Sequence, residues 1–194
     1  MIKLAIFDMD GTIVESYLNW KQIREELGVE EGGNILKEIY RGEQTNKIKL
    51  DILEKYEKEN TLKTKPIHGI LDFLFYLKSR NILTALITNN NFENTDFLIR
   101  KFNLNFDRVI TREMKLWKPD PDAFLYVMKS YNCAPCETIS IGDSHYDVRA
   151  SMAAGISQIY NIKNFDMIQL ERSNIIYFDD YLNLRVMIEE KRFF

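Results

Sequence analysis
The chain has 194 residues, 45% of them hydrophobic and 28% charged, and its 26 Lys and Arg against 29 Asp and Glu leave a formal net charge of −3. That length buries a core with room for one domain and an insert. The basic residues are scattered among acids rather than clustered, which argues against nucleic acid or a membrane surface as a partner, and no apolar run approaches the roughly 18 residues of a membrane span.

The first apolar block, KLAIF at residues 3–7, starts too near the N-terminus for a charged n-region, an apolar h-region and a cleavage site to precede it, so a cytoplasmic protein is expected. It runs directly into Asp8, with Asp10, Gly11 and Thr12 close behind. The next strand-like block lies beyond the reach of a single crossover. The interval holds YLNWKQIREELG (17–28), GNILKEIYRG (33–42) and NKIKLDILEKYEKEN (46–60), all with helical spacing and no strand signal. We read residues 17–64 as a small all-helical insert, with Pro66 and Gly69 marking the return to a core made of residues 1–16 and 65–194. Near its start, Trp20 and Arg24 share one helix face beside Tyr17 and Lys21.

After the insert, helical and strand-like patterns alternate. His68 opens the helix pattern GILDFLFYLKSR, whose aromatics fall at core spacing, and the strand ILTALIT then ends on Thr88 and Asn89. ENTDFLIRKF, RVIT and PDAFLYVMKSY follow. In LWKPDPDAF, Lys118 precedes a helix start that Asp120 and Pro121 are expected to form as N-cap and first helical residue. Cys133 and Cys136 follow a helix and precede the strand TISIG, the reverse of a redox pair's setting, and two ligands are half of a structural zinc site; a structural or incidental role is expected. After TISIG come Asp143, Ser144, His145 and Asp147, with Ser144 and Asp147 spaced as a capping box, then YDVRASMAA, SQIY and IIYF. Short, near-continuous apolar strands alternating with helices imply an α/β fold with a doubly wound parallel sheet.

In such sheets the site forms outside the carboxyl ends of the strands. There the sequence gathers Asp8, Asp10, Asp143 and Asp147, one hydroxyl from Thr88 and one ammonium from Lys118. Clustered carboxylates repel one another unless a hard cation neutralises them, which suits Mg²⁺ shared with phosphate oxygens. Thr88, Asn89 with the amides beside them, and Lys118 are placed to hold a transferring phosphoryl group. The set points to phosphoryl transfer.

FDMDGTIVES, ITN, KPDPDAF and GDSHYDVRASMAAG resemble, in order and across nearly the whole chain, the four motifs of the haloacid-dehalogenase (HAD) superfamily. The resemblance is to its phosphoglycolate-phosphatase-like and beta-phosphoglucomutase-like branch, and implies a Rossmann-like, HAD-type core with a short helical cap inserted after the first motif. It implies that Asp8 is nucleophile and Mg²⁺ ligand, that Asp10 is acid/base and lends its main-chain carbonyl to the metal, and that Asp143 completes the metal site. Asp147 is left to bind the metal directly or through a water, to orient its neighbours, or to cap the helix, and Trp20 and Arg24 as contacts of the cap with substrate, Trp20 alternatively filling the cap's own core.

The function expected is a Mg²⁺-dependent phosphatase, a monomer, acting on a small phosphorylated metabolite through an aspartyl-phosphate on Asp8. A phosphomutase is the alternative, although similar mutases carry a histidine early in the first cap helix where this chain has Trp20. A non-catalytic phospho-ligand-binding or regulatory protein is the other, although binding alone needs no nucleophile beside an acid/base. A dehalogenase would lack the aspartate that Asp10 supplies.

Overall fold
The structure, a computed structural model, describes residues 1–42, 45–162 and 175–190. Stretches of the expected core (163–174 and 191–194) and of the insert (43–44) lie outside the described residues. Among the described residues six strands, β1 (Leu4–Phe7), β2 (Leu83–Ile87), β3 (Arg108–Ile110), β4 (Thr138–Gly142), β5 (Gln158–Ile162) and β6 (Ile175–Phe178), form one parallel sheet in the order β3-β2-β1-β4-β5-β6. The apolar blocks of the sequence are therefore the strands, and the α/β, doubly wound expectation holds.

The inner strands have two buried faces because helices cover both sides of the sheet. Ala5 and Phe7 of β1 point toward α4 (Ile70–Ser79), α5 (Phe92–Lys101) and α8 (Tyr181–Glu190), where Phe73, Leu98, Tyr181 and Leu184 close the layer. Leu4 and Ile6 point the other way, toward Phe124 and Val127 of α6 (Asp122–Ser130) and Val148 of α7 (His145–Ala153). The sequence reading did not mark α8; Asp180 caps its first turn by accepting from the Asn183 N–H at 2.8 Å, and Tyr181, Leu184 and Ile188 bury its inner stripe.

Between β1 and α4 lie α1 (Trp20–Leu27), α2 (Ile35–Ile39) and α3 (Lys47–Lys63), each started by an asparagine whose side chain accepts from a first-turn amide: Asn19, Asn34 and Asn46. Their shared cluster is small, with Ile23, Leu27, Ile35, Leu36, Ile39 and Leu53 buried together. Trp117, from the segment before α6, packs into it and stands 4.8 Å from the Tyr40 ring, centroid to centroid. The chain enters and leaves this helical layer through two paired segments: Glu15 N–H donates to Lys65 O (2.9 Å), Ile67 N–H to Ile13 O (2.9 Å), and Thr64 Oγ1 to Glu15 O.

Two local expectations change. Asp120 does not cap α6: Pro121 takes the N-cap position, and the Asp120 carboxylate instead binds Lys37 Nζ of α2 at 2.8 Å, spending its charge on an ion pair between the helical layer and the core. Trp20 does not fill the insert's core; it is 42% exposed, while Ile23 and Leu27 occupy that position. Cys133 is buried and Cys136 exposed, both as free thiols in the turn before β4. Among the described residues no helix is long and apolar enough to cross a membrane.

Candidate active site
The sheet's winding puts β1 at its centre, and the chain runs outward through β2 and β3 on one side and β4 to β6 on the other. The crevice at that reversal lies at the carboxyl end of β1, where Asp8 leaves the strand with its N–H still bonded to Ile141 O of β4 (3.0 Å). Asp143 follows β4 directly. Asp147 sits in the first turn of α7, fixed by a reciprocal cap: Ser144 N–H and Oγ–H donate to its Oδ2 at 3.1 and 2.5 Å. Carboxylate oxygens of Asp8, Asp143 and Asp147 all lie within 4.8 Å of one another. Lys118 enters the same cluster, its buried Nζ donating to Asp147 Oδ1 at 2.6 Å and to Asp8 Oδ1. Asp147 is therefore both helix cap and lysine partner.

Two glycines allow the carboxylates to approach. A Cβ on Gly11, which has φ +86°, would stand 2.2 Å from Asp143 Oδ2, and one on Gly142 would stand 2.5 Å from Asp147 Cβ. A side chain at either position would push a carboxylate out of the cluster.

Asp10 faces elsewhere. Its Oδ1 accepts from Asn60 Nδ2 of α3 (3.2 Å) and its Oδ2 from Asn90 Nδ2 (3.0 Å), so two amides hold the carboxylate apart from the other three. Thr88 is buried, its Oγ1 accepting the Asn90 N–H at 3.0 Å. Asn89 clasps the main chain of Lys118 in both directions: its Oδ1 accepts from Lys118 N and its Nδ2 donates to Lys118 O, each at 3.0 Å. That side chain positions the lysine. Arg24 donates to Tyr146 Oη at 3.3 Å and to Gly33 O at 3.5 Å, joining α1 to the start of α7, where His145 is exposed.

Sequence reasoning missed Asn90, Asn60, Glu57, Arg112 and Trp117. Glu57 and Arg112 form a buried ion pair between α3 and the 3₁₀ turn Arg112–Met114 that follows β3, and Arg112 Nε also donates to Asn89 O at 3.0 Å. Asn90 was open to detection, being the next residue after a strand-end pair already singled out. Glu57 and Asn60 read as the polar side of an amphipathic helix and gave no local signal.

The electrostatics have one theme. Burial pushes Asp8 up to about 7, with Asp147 and Asp10 adding to the rise and Lys118 opposing it. Burial and then the charges of Asp8 and Asp147 hold Asp143 well above the carboxylate range. Burial also raises Asp10, against the Asn90 hydrogen bond. Lys118 is pulled down by burial but raised further by Asp147 and Asp8. Three close carboxyl groups stand against one ammonium, so ionising all of them calls for further positive charge, and such an oxygen donor set suits a hard divalent cation.

A doubly wound α/β core, a helical layer inserted after β1, and carboxylates collected at the switch point define the class: an α/β protein with a helical insert and an acidic cluster at its strand ends. The sequence profile of the haloacid dehalogenase-like hydrolases matches residues 30–160, and the chain belongs to that family. It is 30% identical over 162 residues to an uncharacterized hydrolase of Saccharomyces cerevisiae, a match covering 79% of this chain and 74% of the relative. It is 30% identical over 183 residues to phosphoglycolate phosphatase 1 of Pseudomonas aeruginosa, covering 79% of this chain and 67% of that one. A hydrolase structure from Pseudomonas syringae superposes with a TM-score of 0.76 at 22% identity, covering 97% of this chain and 98% of the other, a likeness of fold.

Proposed function
We propose that the chain is a Mg²⁺-dependent phosphatase that hydrolyses a small phosphomonoester through an aspartyl-phosphate on Asp8. The observation that carries this reading is the division of labour among the carboxylates: Asp8 lies with Asp143, Asp147 and Lys118, while Asp10 is held apart on two amides. The carboxylates of Asp8 and Asp143 and the main-chain carbonyl of Asp10 would hold Mg²⁺, with Asp147 in support. When bound, the cation neutralises the cluster and the phosphoryl oxygens, so that a carboxylate and a phosphate dianion can meet.

Asp8 Oδ attacks phosphorus, the bond to the ester oxygen breaks, and the departing oxygen takes the proton of Asp10. Asp10 then removes a proton from water as that water attacks phosphorus, the Asp8–phosphoryl bond breaks, and inorganic phosphate leaves. Lys118, Thr88 and the main-chain amide of Asn89 hold the equatorial oxygens through both steps. Residues 17–64 act as the cap that shields the first step and chooses the leaving group. The relatives' names, phosphoglycolate phosphatase among them, support a phosphorylated metabolite as substrate.

A screen over metabolite phosphates tests the reading. Turnover is expected with Mg²⁺ and is expected to vanish in EDTA after bound metal is removed. Undiminished hydrolysis in that metal-free protein would rule the mechanism out.

Arg24 is the proposed contact with the leaving group, beside the exposed Trp20. Arg24→Ala is expected to raise KM for the substrate found in the screen about 10-fold, the scale of one charged hydrogen bond, and to spare 4-nitrophenyl phosphate. Equal losses on both esters would assign Arg24 to holding α1 against Tyr146.

A further inference from the structure
We infer that Asn60 is a positioning residue for Asp10, joining the seating of the helical cap to the aim of the general acid. The inference rests on the phosphatase reading and deepens it.

Asn60 belongs to α3, yet it is 3% exposed and its amide is used at both ends. Its Oδ1 accepts the N–H of Tyr17 at 2.8 Å, in the segment that leads from the core into the insert. Its Nδ2 donates to Asp10 Oδ1 at 3.2 Å. The other oxygen of Asp10 accepts from Asn90, whose own Oδ1 is held by Asn91 N–H at 2.8 Å and Asn94 Nδ2 at 3.2 Å. One amide therefore comes from the core and the other from the insert.

A carboxyl group turns easily about its last side-chain bond, and a single donor leaves that rotation open. Two donors, one on each oxygen, fix the carboxyl plane and hence the direction in which its proton is offered. Asn90 supplies one donor whatever the insert does. Asn60 supplies the second only while α3 is seated over the strand ends. Asp10 is thus aimed when the cap is in place over a substrate, and the proton reaches the ester oxygen as its bond to phosphorus breaks. Leaving groups that need the proton depend on this second donor; 4-nitrophenolate, which departs without one, does not.

The test compares wild type, Asn60→Ala and Asn60→Asp on an alkyl phosphate and on 4-nitrophenyl phosphate, following single-turnover release of the alcohol or phenol so that only transfer to Asp8 is read. Asn60→Asp keeps an acceptor for Tyr17 N–H and replaces the fixed amide donor to Asp10 with a carboxyl group; Asn60→Ala removes the donor outright. Both variants are expected to release the alkyl alcohol about 10- to 100-fold more slowly, part of the 10²–10⁴ that acid catalysis supplies, with KM within about 2-fold and the aryl rate within about 3-fold of wild type. A wild-type alkyl rate in Asn60→Asp, or in Asn60→Ala should the other variant fail to fold, would overturn the role. Equal losses on both esters would overturn it too, by showing that Asn60 only fastens Tyr17. A wild type inert toward both esters would overturn the phosphatase reading and this inference with it, whereas an active wild type with unaffected variants removes the inference alone.

Discussion

Asp8→Asn is expected to lower turnover by about 10⁴-fold or more, the scale on which removal of an enzyme's nucleophile acts. The amide has nearly the shape of the carboxylate but lacks the lone-pair basicity to attack phosphorus. The loss should appear with alkyl and aryl phosphates alike, since a good leaving group cannot replace a missing nucleophile. The fold should not suffer. Burial lifts the Asp8 carboxyl to about 7, so in the metal-free fold ionising it costs more than in the unfolded chain, and that cost grows as pH rises through about 7. A neutral amide avoids it. Thermal unfolding of the metal-free variant at pH 8 should therefore match or exceed wild type, and acid quench of wild type with ³²P-labelled substrate should leave label on protein that Asp8→Asn does not carry. Label on the variant, or turnover within tenfold of wild type, would remove Asp8 as nucleophile.

Arg112→Ala is expected to be strongly destabilising. Arg112 is 1% exposed and pairs with Glu57, itself 3% exposed, from the other side of the boundary between core and insert. Removing the cation leaves Glu57 buried without a counter-charge, which costs about 3–5 kcal/mol. It also removes the donor to Asn89 O, and Asn89 is the residue that clasps Lys118. The sign of the pH dependence follows from Glu57. Burial already pushes it up to about 7 against the pull of Arg112. The fold thus takes up a proton that the unfolded chain releases, and the stability this gives is fully present below the ordinary Glu value and is lost as pH rises through about 7. Without Arg112 the ionised form is penalised further, so the deficit measured by urea unfolding should be larger at pH 8 than at pH 5.5. Pairing Arg112→Met with Glu57→Gln should recover part of it. A deficit below about 1 kcal/mol at pH 8 would mean that water or another group already compensates Glu57.

Much of this molecule was legible without coordinates. The apolar blocks are the strands because a strand covered on both faces is mostly apolar along its length, so its pattern is local and near-continuous. The carboxylates announced themselves in the same way: Asp8 and Asp143 stand directly after buried strands, where charge needs a reason. Capping was half legible. The Ser144–Asp147 box is local and formed as expected, whereas Asp120 gave up its cap to Lys37, 83 residues away.

What escaped was the seam between core and insert. Trp117 enters the insert's cluster, Glu57 is buried by Arg112 and Asn60 by Asp10, and each of these partners is distant in sequence. A polar residue on a helix carries no mark of whether water or another segment will satisfy it; only the packing of α3 on the strand ends settles that. The sequence by itself determined the strand set, the winding of the sheet and the carboxylates at its switch point, since strand burial and turn chemistry are written in neighbouring residues. The tertiary structure alone decided which amides hold Asp10, which side chain clasps Lys118 and how the helical layer is fastened, because a buried polar group is defined by its partner, and the chain supplies that partner from far away.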